Sequence, residues 1–366
     1  MAQQKESNGT WSFYGKLPKD LNGKRKNYKR RGFKNKKDAK IAEMEFLKTQ
    51  SNILPGRLKL DELIKEYHKD APNHIKQSTI KIYMRFERNI ISPSFGNRYI
   101  DEITTLEITR WINDILKNGY NGQNYGESST KNILLHLSGL LTYAVDHNWL
   151  NKNPCHKIKP PKDPNKVSNK KSSENNFWEI DEYNKFILTV EDEYKRDLYE
   201  FMFLTGVRIG EFCALQWSDV DLDNGYLTIN KSLSATITEI TSPKSNNSNR
   251  TIRLPNKIVE KLKIRYAIVS QQEGFSESYF LYRDKKYISI ATFRRWFNKD
   301  VAKSRVKKIT VHGLRHSHAS YLLSNPMIPE LLIAERLGHS VEMLRGTYAH
   351  VYEKSRKNLI DFIENL

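Results

Sequence analysis

Six residues in the second half of this 366-residue chain are of types that can handle a phosphodiester without a metal: Arg208, Lys244, His312, Arg315, His339 and Tyr348. A guanidinium is permanently charged and offers a planar fork of donors matched to two phosphate oxygens, and an imidazole can donate a hydrogen bond or move a proton near neutral pH. His312 and Arg315 lie in Thr310-Val-His-Gly-Leu-Arg-His-Ser-His-Ala-Ser-Tyr-Leu-Leu323, whose later apolar positions recur at helical spacing, so a helix sets both on one face. Further on, Gly338 reads as a helix stop and Ser340 as the N-cap of the next helix, with His339 at the junction. Tyr348 then falls about two and a half turns into that helix. Its neighbours Gly346, Thr347 and Ala349 are polar or small, outside any apolar stripe. Upstream, Gly206 reads as the C-cap of an apolar helix carrying Leu198, Phe201, Met202 and Leu204, and Arg208 opens the next. An arginine there adds its charge to free backbone N–H groups and makes an anion site, with Glu211 one turn on to brace the guanidinium.

The segments Thr205-Gly-Val-Arg-Ile-Gly-Glu211, His312-Gly-Leu-Arg-His316, Leu337-Gly-His339 and Thr347-Tyr-Ala-His350, in that order, resemble the catalytic domain of the tyrosine recombinases, the family of the phage integrases. The resemblance implies that Tyr348 is the nucleophile, that Arg208 and Arg315 bind the scissile phosphate, and that His312 and His339 complete the pocket. It also implies a lysine on a β-hairpin that protonates the departing 5′ oxygen. Gly225–Asn230, Ser234–Thr241 and Arg250–Leu254 alternate in β-branched residues and read as strands. Lys244 sits on the turn-rich tip between the last two and matches that lysine, with Lys231 as the nearest competitor. A phenol near its usual pKa of about 10 is a poor nucleophile at neutral pH. Arg208, Arg315 and a protonated histidine would lower that barrier and spread the charge of the phosphorane. The product is a 3′-phosphotyrosyl bond with a free 5′ hydroxyl, and the reaction needs no metal, ATP or other cofactor. A competing metal centre would draw on His312, His316, His318, His339 and His350, but the neighbouring arginines would repel a cation. His316 and His318 therefore read as helix-packing or backbone-bonded histidines. Besides an integrase, the same residues could serve a metal-dependent nuclease, a resolvase or inversion recombinase of the same family, or a DNA-binding regulator that does not cleave.

The rest of the chain must position these groups on a polyanion. Sixty-one lysines and arginines stand against 42 acidic residues, a net charge of +19, with a pI near 9.6, and such a charge binds polyanions through counterion release. No window has the roughly 18 apolar residues of a membrane span, and the polar start lacks the apolar core of a signal peptide, so a soluble cytoplasmic protein is expected. Cys155 and Cys213 provide neither a disulfide framework nor a zinc set.

The fold class expected is multidomain α+β. Residues 1–54 read as a small β-sheet plus helix, 55–160 as all-helical, 161–174 as a linker rich in Pro, Lys, Ser and Asn, and 175–366 as mostly helical with a small antiparallel sheet. In the first segment, runs at 10–14 and 27–33 flank Asn22-Gly23-Lys24, a hairpin signal, and a helix follows over about 36–48. Lys24, Arg25, Lys26, Lys29, Arg30 and Arg31 lie on or beside this ribbon, which suits a major groove. It resembles the arm-site DNA-binding domain of phage-type integrases. Helices are expected at 60–67, 78–90, 105–118 and 128–148, with Ser78 and Ser128 or Ser129 as N-caps. Tyr83, Phe86, Trp111, Leu134, Leu137, Leu141 and Trp149 are assigned to packing, in an order that resembles the family's core-binding domain. Lys76, Lys81, Arg85, Lys131 and Lys157 are candidate phosphate contacts. The partners implied are double-stranded DNA at core and arm attachment sites, a homotetramer acting through a Holliday junction, and accessory DNA-bending and excision-directionality proteins. Leu359, Ile360, Phe362, Ile363 and Leu366 suggest a terminal helix that docks on its own domain or on a neighbouring protomer.

Overall fold

The computed structural model describes residues 2–19, 25–51, 57–162, 176–241, 249–348 and Glu364, with backbone alone at 2, 17–19, 26 and 47–51. The hairpin tip at Asn22-Gly23-Lys24, nearly all of the linker, Lys244, His350 and the terminal apolar run lie outside the described residues. The chain divides into two compact units, Met1–Val167 and Ser168–Leu366. Among the described residues, no helix is long and apolar enough to cross a membrane.

The first unit opens with a three-stranded antiparallel sheet of β1 (Ala2–Lys5), β2 (Trp11–Lys19) and β3 (Arg25–Phe33), followed by α1 (Lys36–Ser51). The two expected strands sit inside β2 and β3. β1 carries the polar run Ala-Gln-Gln-Lys, so only its backbone pairing with β2 reveals it. Phe13, fully buried, meets Phe33 at 5.4 Å and Phe46 of α1 at 5.8 Å between ring centroids. α1 thus covers one face of the sheet.

The helical part of this unit comprises α2 (Leu60–Asp70), α3 (Gln77–Phe86), α4 (Thr105–Asn118) and α5 (Glu127–Asp146). Thr104 caps α4 in a reciprocal box, its hydroxyl accepting from Glu107 N and Glu107 accepting from Thr104 N. The expected serine caps are displaced. α3 begins after Lys76 and α5 after Gly126, which leaves Ser78, Ser128 and Ser129 inside their helices, and Glu127 gains the favourable first-turn position for an acid. The chain also continues past the expected stop at Ile90 as a π-helical stretch, Glu87–Gly96, that accommodates Pro93. Leu134, Leu137 and Leu141 join Phe86 in the core, and Tyr83, Trp111 and Trp149 pack at its edge. In this core the buried carboxylate of Glu87 accepts from His68 Nε2 and His136 Nε2, both at 2.7 Å.

The second unit contains α6 (Ile180–Thr189), α7 (Glu193–Thr205), α8 (Ile209–Ala214), α9 (Asn256–Val269), α10 (Ile290–Ser304), α11 (Val311–Leu323), α12 (Glu330–Leu337) and α13 (Val341–Thr347). Aromatic side chains fill its centre, with Phe186, Tyr199, Phe293 and Phe297 fully buried. Tyr199 donates to Asp300 Oδ2 at 2.8 Å, so its hydroxyl is satisfied inside the core. β4 (Val220–Asp221), β5 (Tyr226–Ile229) and β8 (Arg250–Arg253) form one antiparallel sheet, and β6 (Ser232–Leu233) pairs with β7 (Ile240–Thr241) in another. The expected long strand Ser234–Thr241 does not form. Its first residues make a turn in which Ser234 N bonds Glu239 O and Thr238 takes a positive φ, leaving only the last two residues to pair.

Candidate active site

α11 carries two of the six residues and is pinned at its start. Thr310 caps it through a hydroxyl that accepts from Gly313 N, while Asn176 receives Thr310 N and Trp178 N donates to Ser317 Oγ at 2.8 Å. From this fixed helix Arg315 points inward and is 1% exposed. Its Nη1 donates to Gly206 O at 2.7 Å, and its Nη2 donates to Leu337 O and, at 2.9 Å, to His339 Nε2.

Gly206 and Gly338 are the helix stops read from the sequence, both in the left-handed region at φ 67° and 63°. At Gly206 a side chain is excluded on two grounds, since a Cβ would also lie 2.4 Å from the His318 ring. Ser340 caps α13 as expected, accepting from Met343 N.

The last carbonyls of α12 organise the pocket. Residues 336–338 present oxygens with no helical partner at the negative end of the helix. Three guanidiniums take them: Arg250 Nε donates to Arg336 O at 2.8 Å, Arg315 Nη2 to Leu337 O, and Arg208 Nη2 to Gly338 O at 3.3 Å. Glu211 locks two of these cations. It accepts from Arg208 Nη1 at 2.8 Å and from both terminal nitrogens of Arg250 at 2.8 and 3.1 Å. Burial alone would raise the Glu211 pKa, but the contacts to Arg250 and Arg208 outweigh it and hold the carboxyl at about 2. The expected bracing of Arg208 is present. At the start of α8 one of the expected free N–H groups is taken, since Glu211 Oε2 accepts from Arg208 N at 2.9 Å.

Two buried donor atoms face no protein partner among the described residues, Arg315 Nε and His339 Nδ1. An arginine can only donate, so His339 Nε2 is the accepting nitrogen and its proton resides on Nδ1. An oxyanion that met both atoms would satisfy groups whose isolation is otherwise costly.

Tyr348 ends α13 as its C-cap residue, about half a turn short of the expected depth in the helix. It is 1% exposed and packs with Leu323, Ile333, Leu337 and Leu344, so the expectation of polar company is overturned by tertiary contacts. Burial pushes its pKa up to about 12, against the pull of Arg315 and Arg208. Burial likewise pulls His339 down to about 3, with Arg315 and Arg208 adding to it. His312 opens partly to solvent, and the protein around it, His316, Arg315 and Arg208 lower its pKa as well. Burial first, and the neighbouring charges second, thus shift His312 and His339 toward the neutral form in the DNA-free pocket, away from the expected protonated histidine. Burial lowers Arg315 to about 9, which still leaves it a cation at neutral pH.

Three residues outside the expected set matter here. Arg250 shares Glu211 with Arg208. Arg336 donates to His318 Nε2, Leu204 O and Arg253 O, fixing the back of the site and giving His318 the packing role read for it. His316, read as a packing histidine, instead holds the Tyr348 hydroxyl with its Nδ1 at 3.0 Å. The sequence places these side chains on α11, β8 and α12 without indicating that they converge. The rival lysine, Lys231, is engaged by Gln216 Oε1 at 2.7 Å and Asp219 Oδ1 at 2.8 Å.

The candidate DNA-contacting residues all belong to the first unit. Arg25, Lys29, Arg30 and Arg31 are exposed on β3, with Lys29 and Arg31 at 3.0 and 3.6 Å from Glu6 Oε1 and Arg30 over the Phe46 ring. For Lys26 only the backbone is described, and Lys24 lies outside the described residues. Lys76, Lys81, Arg85, Lys131 and Lys157 are exposed.

Comparison with known proteins gives this arrangement a context. Residues 176–355 match the phage integrase family, residues 1–50 an arm DNA-binding domain, and residues 59–116 a phage integrase N-terminal SAM-like domain. The ICEBs1 integrase of Bacillus subtilis strain 168 is 31% identical over 292 residues, which cover 75% of this chain and 74% of that one. The chain belongs to the phage integrase family. It is a tyrosine-type site-specific recombinase of the phage and mobile-element class. The fold agrees: the Tn1549 transposon integrase in complex with a circular intermediate DNA superposes with a TM-score of 0.64 at 18% identity, covering 83% of this chain and 99% of that one. A lambda integrase tetramer bound to a Holliday junction gives 0.59 at 20% identity, covering 93% and 94%.

Proposed function

We propose that this recombinase integrates and excises a phage or mobile element by cutting and rejoining DNA through a 3′-phosphotyrosyl bond on Tyr348. The observation that carries the reading is the pair of buried donors without a partner among the described residues, Arg315 Nε and His339 Nδ1, in the same cation-lined pocket as the buried Tyr348 phenol. Arg208 and Arg315 hold the non-bridging oxygens, His339 donates through Nδ1, and His312 completes the rim. Lys244 protonates the leaving 5′ oxygen. Because the donors are fixed by α12 carbonyls and Glu211 before substrate arrives, little reorganisation accompanies charge development in the transition state.

The division of labour follows the chain. Residues 1–54 bind arm sites, 55–160 bind the core site, 161–174 link, and 175–366 carry out strand transfer. Arg25, Lys26, Lys29, Arg30 and Arg31, with Lys24, contact arm DNA, and Lys76, Lys81, Arg85 and Lys131 contact core phosphates. The assembly is a homotetramer on two duplexes, in line with the lambda integrase tetramer bound to a Holliday junction. Accessory bending and directionality proteins assist it in the bacterial cytoplasm.

The test is covalent trapping on a nicked suicide substrate carrying the element's own attachment site, in EDTA, with wild type and Tyr348→Phe run on a denaturing gel. An adduct formed by wild type alone is expected. DNA that is bound but never joined to the protein would overturn the reading.

A further inference from the structure

The inference that follows rests on Tyr348 being the nucleophile. A phenol held near pKa 12 by burial keeps its proton at neutral pH, so cleavage needs a base within hydrogen-bond reach of the hydroxyl. His316 Nδ1 lies 3.0 Å from that oxygen, with the two rings 5.5 Å apart between centroids. The histidine is one turn after His312 on α11, and their rings meet edge to face at 4.7 Å. It stands on a helix anchored by the Thr310 cap, Asn176 and the Trp178–Ser317 bond, so its position does not depend on bound DNA. Among the described residues, the charged and titratable groups around the phenol and this imidazole include Arg315 and His312 on α11, Arg208 at the start of α8 with Glu211 behind it, and His339 between α12 and α13.

We propose that His316 is the catalytic base of strand cleavage, taking the Tyr348 proton on Nδ1 as the phenolic oxygen attacks phosphorus and returning it when the strand is rejoined. In the forward step the Tyr348 O–H bond breaks and its proton moves to the Nδ1 lone pair of neutral His316, which carries its own hydrogen on Nε2 and becomes an imidazolium. The oxygen forms the bond to phosphorus, and the P–O5′ bond breaks with its electron pair on the 5′ oxygen, which takes a proton from the donor on its own side, the role given to Lys244 above. Rejoining runs the same transfers in reverse. The energy of the phosphodiester is retained, and no oxidant or co-reactant enters.

The experiment compares wild type, His316→Asn, His316→Leu and Tyr348→Phe in two single-turnover assays on the full chain, with DNA affinity from gel shifts as the control for folding. The asparagine keeps a hydrogen-bonding atom near the place of Nδ1 but cannot take a proton. In the first assay, adduct formation on the suicide substrate is measured from pH 5.5 to 9. Wild type is expected to lose rate on the acid side as His316 protonates. His316→Asn and His316→Leu are expected to be slower by about 100-fold at neutral pH, the low end of general-base effects, without that acid inflection. In the second assay a 5′-hydroxyl strand is ligated to an end bearing a 3′-p-nitrophenyl phosphate, whose leaving group needs neither Tyr348 nor its proton. Here His316→Asn is expected to match wild type. Cleavage by His316→Asn at the wild-type rate and pH profile overturns the proposal, and so does a parallel loss in both assays, which would make His316 a structural residue. A wild type that forms no adduct, or a Tyr348→Phe protein that still forms one, would instead overturn the nucleophile assignment on which the proposal rests.

Discussion

Both compact units bury histidines, and the company those histidines keep separates the work of the two. In the helical part of the first unit, His136 and His68 donate to one buried carboxylate, Glu87, whose pKa their contacts hold below the ordinary value despite burial. In the catalytic unit, His318 and His339 accept from Arg336 and Arg315 instead, and burial with those cations drives both pKa values to about 3. A carboxylate partner makes a histidine a structural donor. A guanidinium partner makes the histidine an acceptor, which fixes its tautomer and adds to the pull of burial toward the neutral ring. A third arrangement, the cations of β3, is exposed to solvent and suits binding that is sensitive to salt.

The strongest way to break this contrast is Arg315→Ala. It removes the proposed phosphate ligand and strands Gly206 O, Leu337 O and His339 Nε2. Adduct formation should fall by about 1000-fold or more, as when one preorganised oxyanion donor is lost, with the helical part of the first unit unaffected in hydrogen exchange. Retention of cleavage would mean that Arg315 serves the fold alone.

Glu87→Gln probes the other side. Breaking a buried charged cluster costs about 3 kcal/mol, so exchange protection should drop across residues 60–146 while residues 176–348 keep theirs. Equal loss in both regions would erase the distinction.

Lowering the pH should divide the units without mutation. The folded-state pKa of His318 lies below its unfolded value, so the unfolded chain takes up the proton first; stability is full above about pH 6.5 and declines as pH falls toward 3. By pH 5 the loss is on the order of 2 kcal/mol. Glu87 has the same sense but a lower window, since its contribution is present above about 4.5 and is lost only as pH falls through its depressed folded value. Exchange rates corrected for intrinsic chemistry should therefore show the catalytic unit opening first between pH 6.5 and 4.5.

The smallest effect is expected at the ribbon. Lys29→Ala with Arg31→Ala should weaken arm-site DNA several-fold and lower the salt slope by about one for each phosphate no longer neutralised, leaving adduct formation on a core-only substrate unchanged. A slower reaction on the core-only substrate would show that these side chains have a role beyond the arm site.

Where local chemistry decides structure, the reading from sequence holds. Gly206 and Gly338 stop helices because their φ values favour glycine, and Ser340 caps because its hydroxyl reaches Met343 N. Alternation was right at Gly225–Asn230 and Arg250–Leu254, which hold β5 and β8, and failed at Ser234–Thr241, because β-branched residues form a strand only when a partner strand is in register, and the first part of this run folds into a turn. The serine caps slipped for a similar reason. Lys76 and Gly126 take the cap positions without a side-chain cap bond, so serine chemistry did not set those boundaries. Tyr348 was assigned its role from its neighbours in the chain, but its burial among Leu323, Ile333 and Leu337 comes from other helices.

By itself the sequence determined the basic charge, the order of the motifs, the helix stops and the residue types of the pocket, since each depends on neighbours within a turn or two of chain or on composition. Only the tertiary structure decided that three guanidiniums meet at the end of α12, that Glu211 joins Arg208 to Arg250, and that His316 reaches the Tyr348 hydroxyl. These are contacts across separate elements, each small against the entropy of ordering it, and they exist because core packing holds α7, α11, α12 and β8 together.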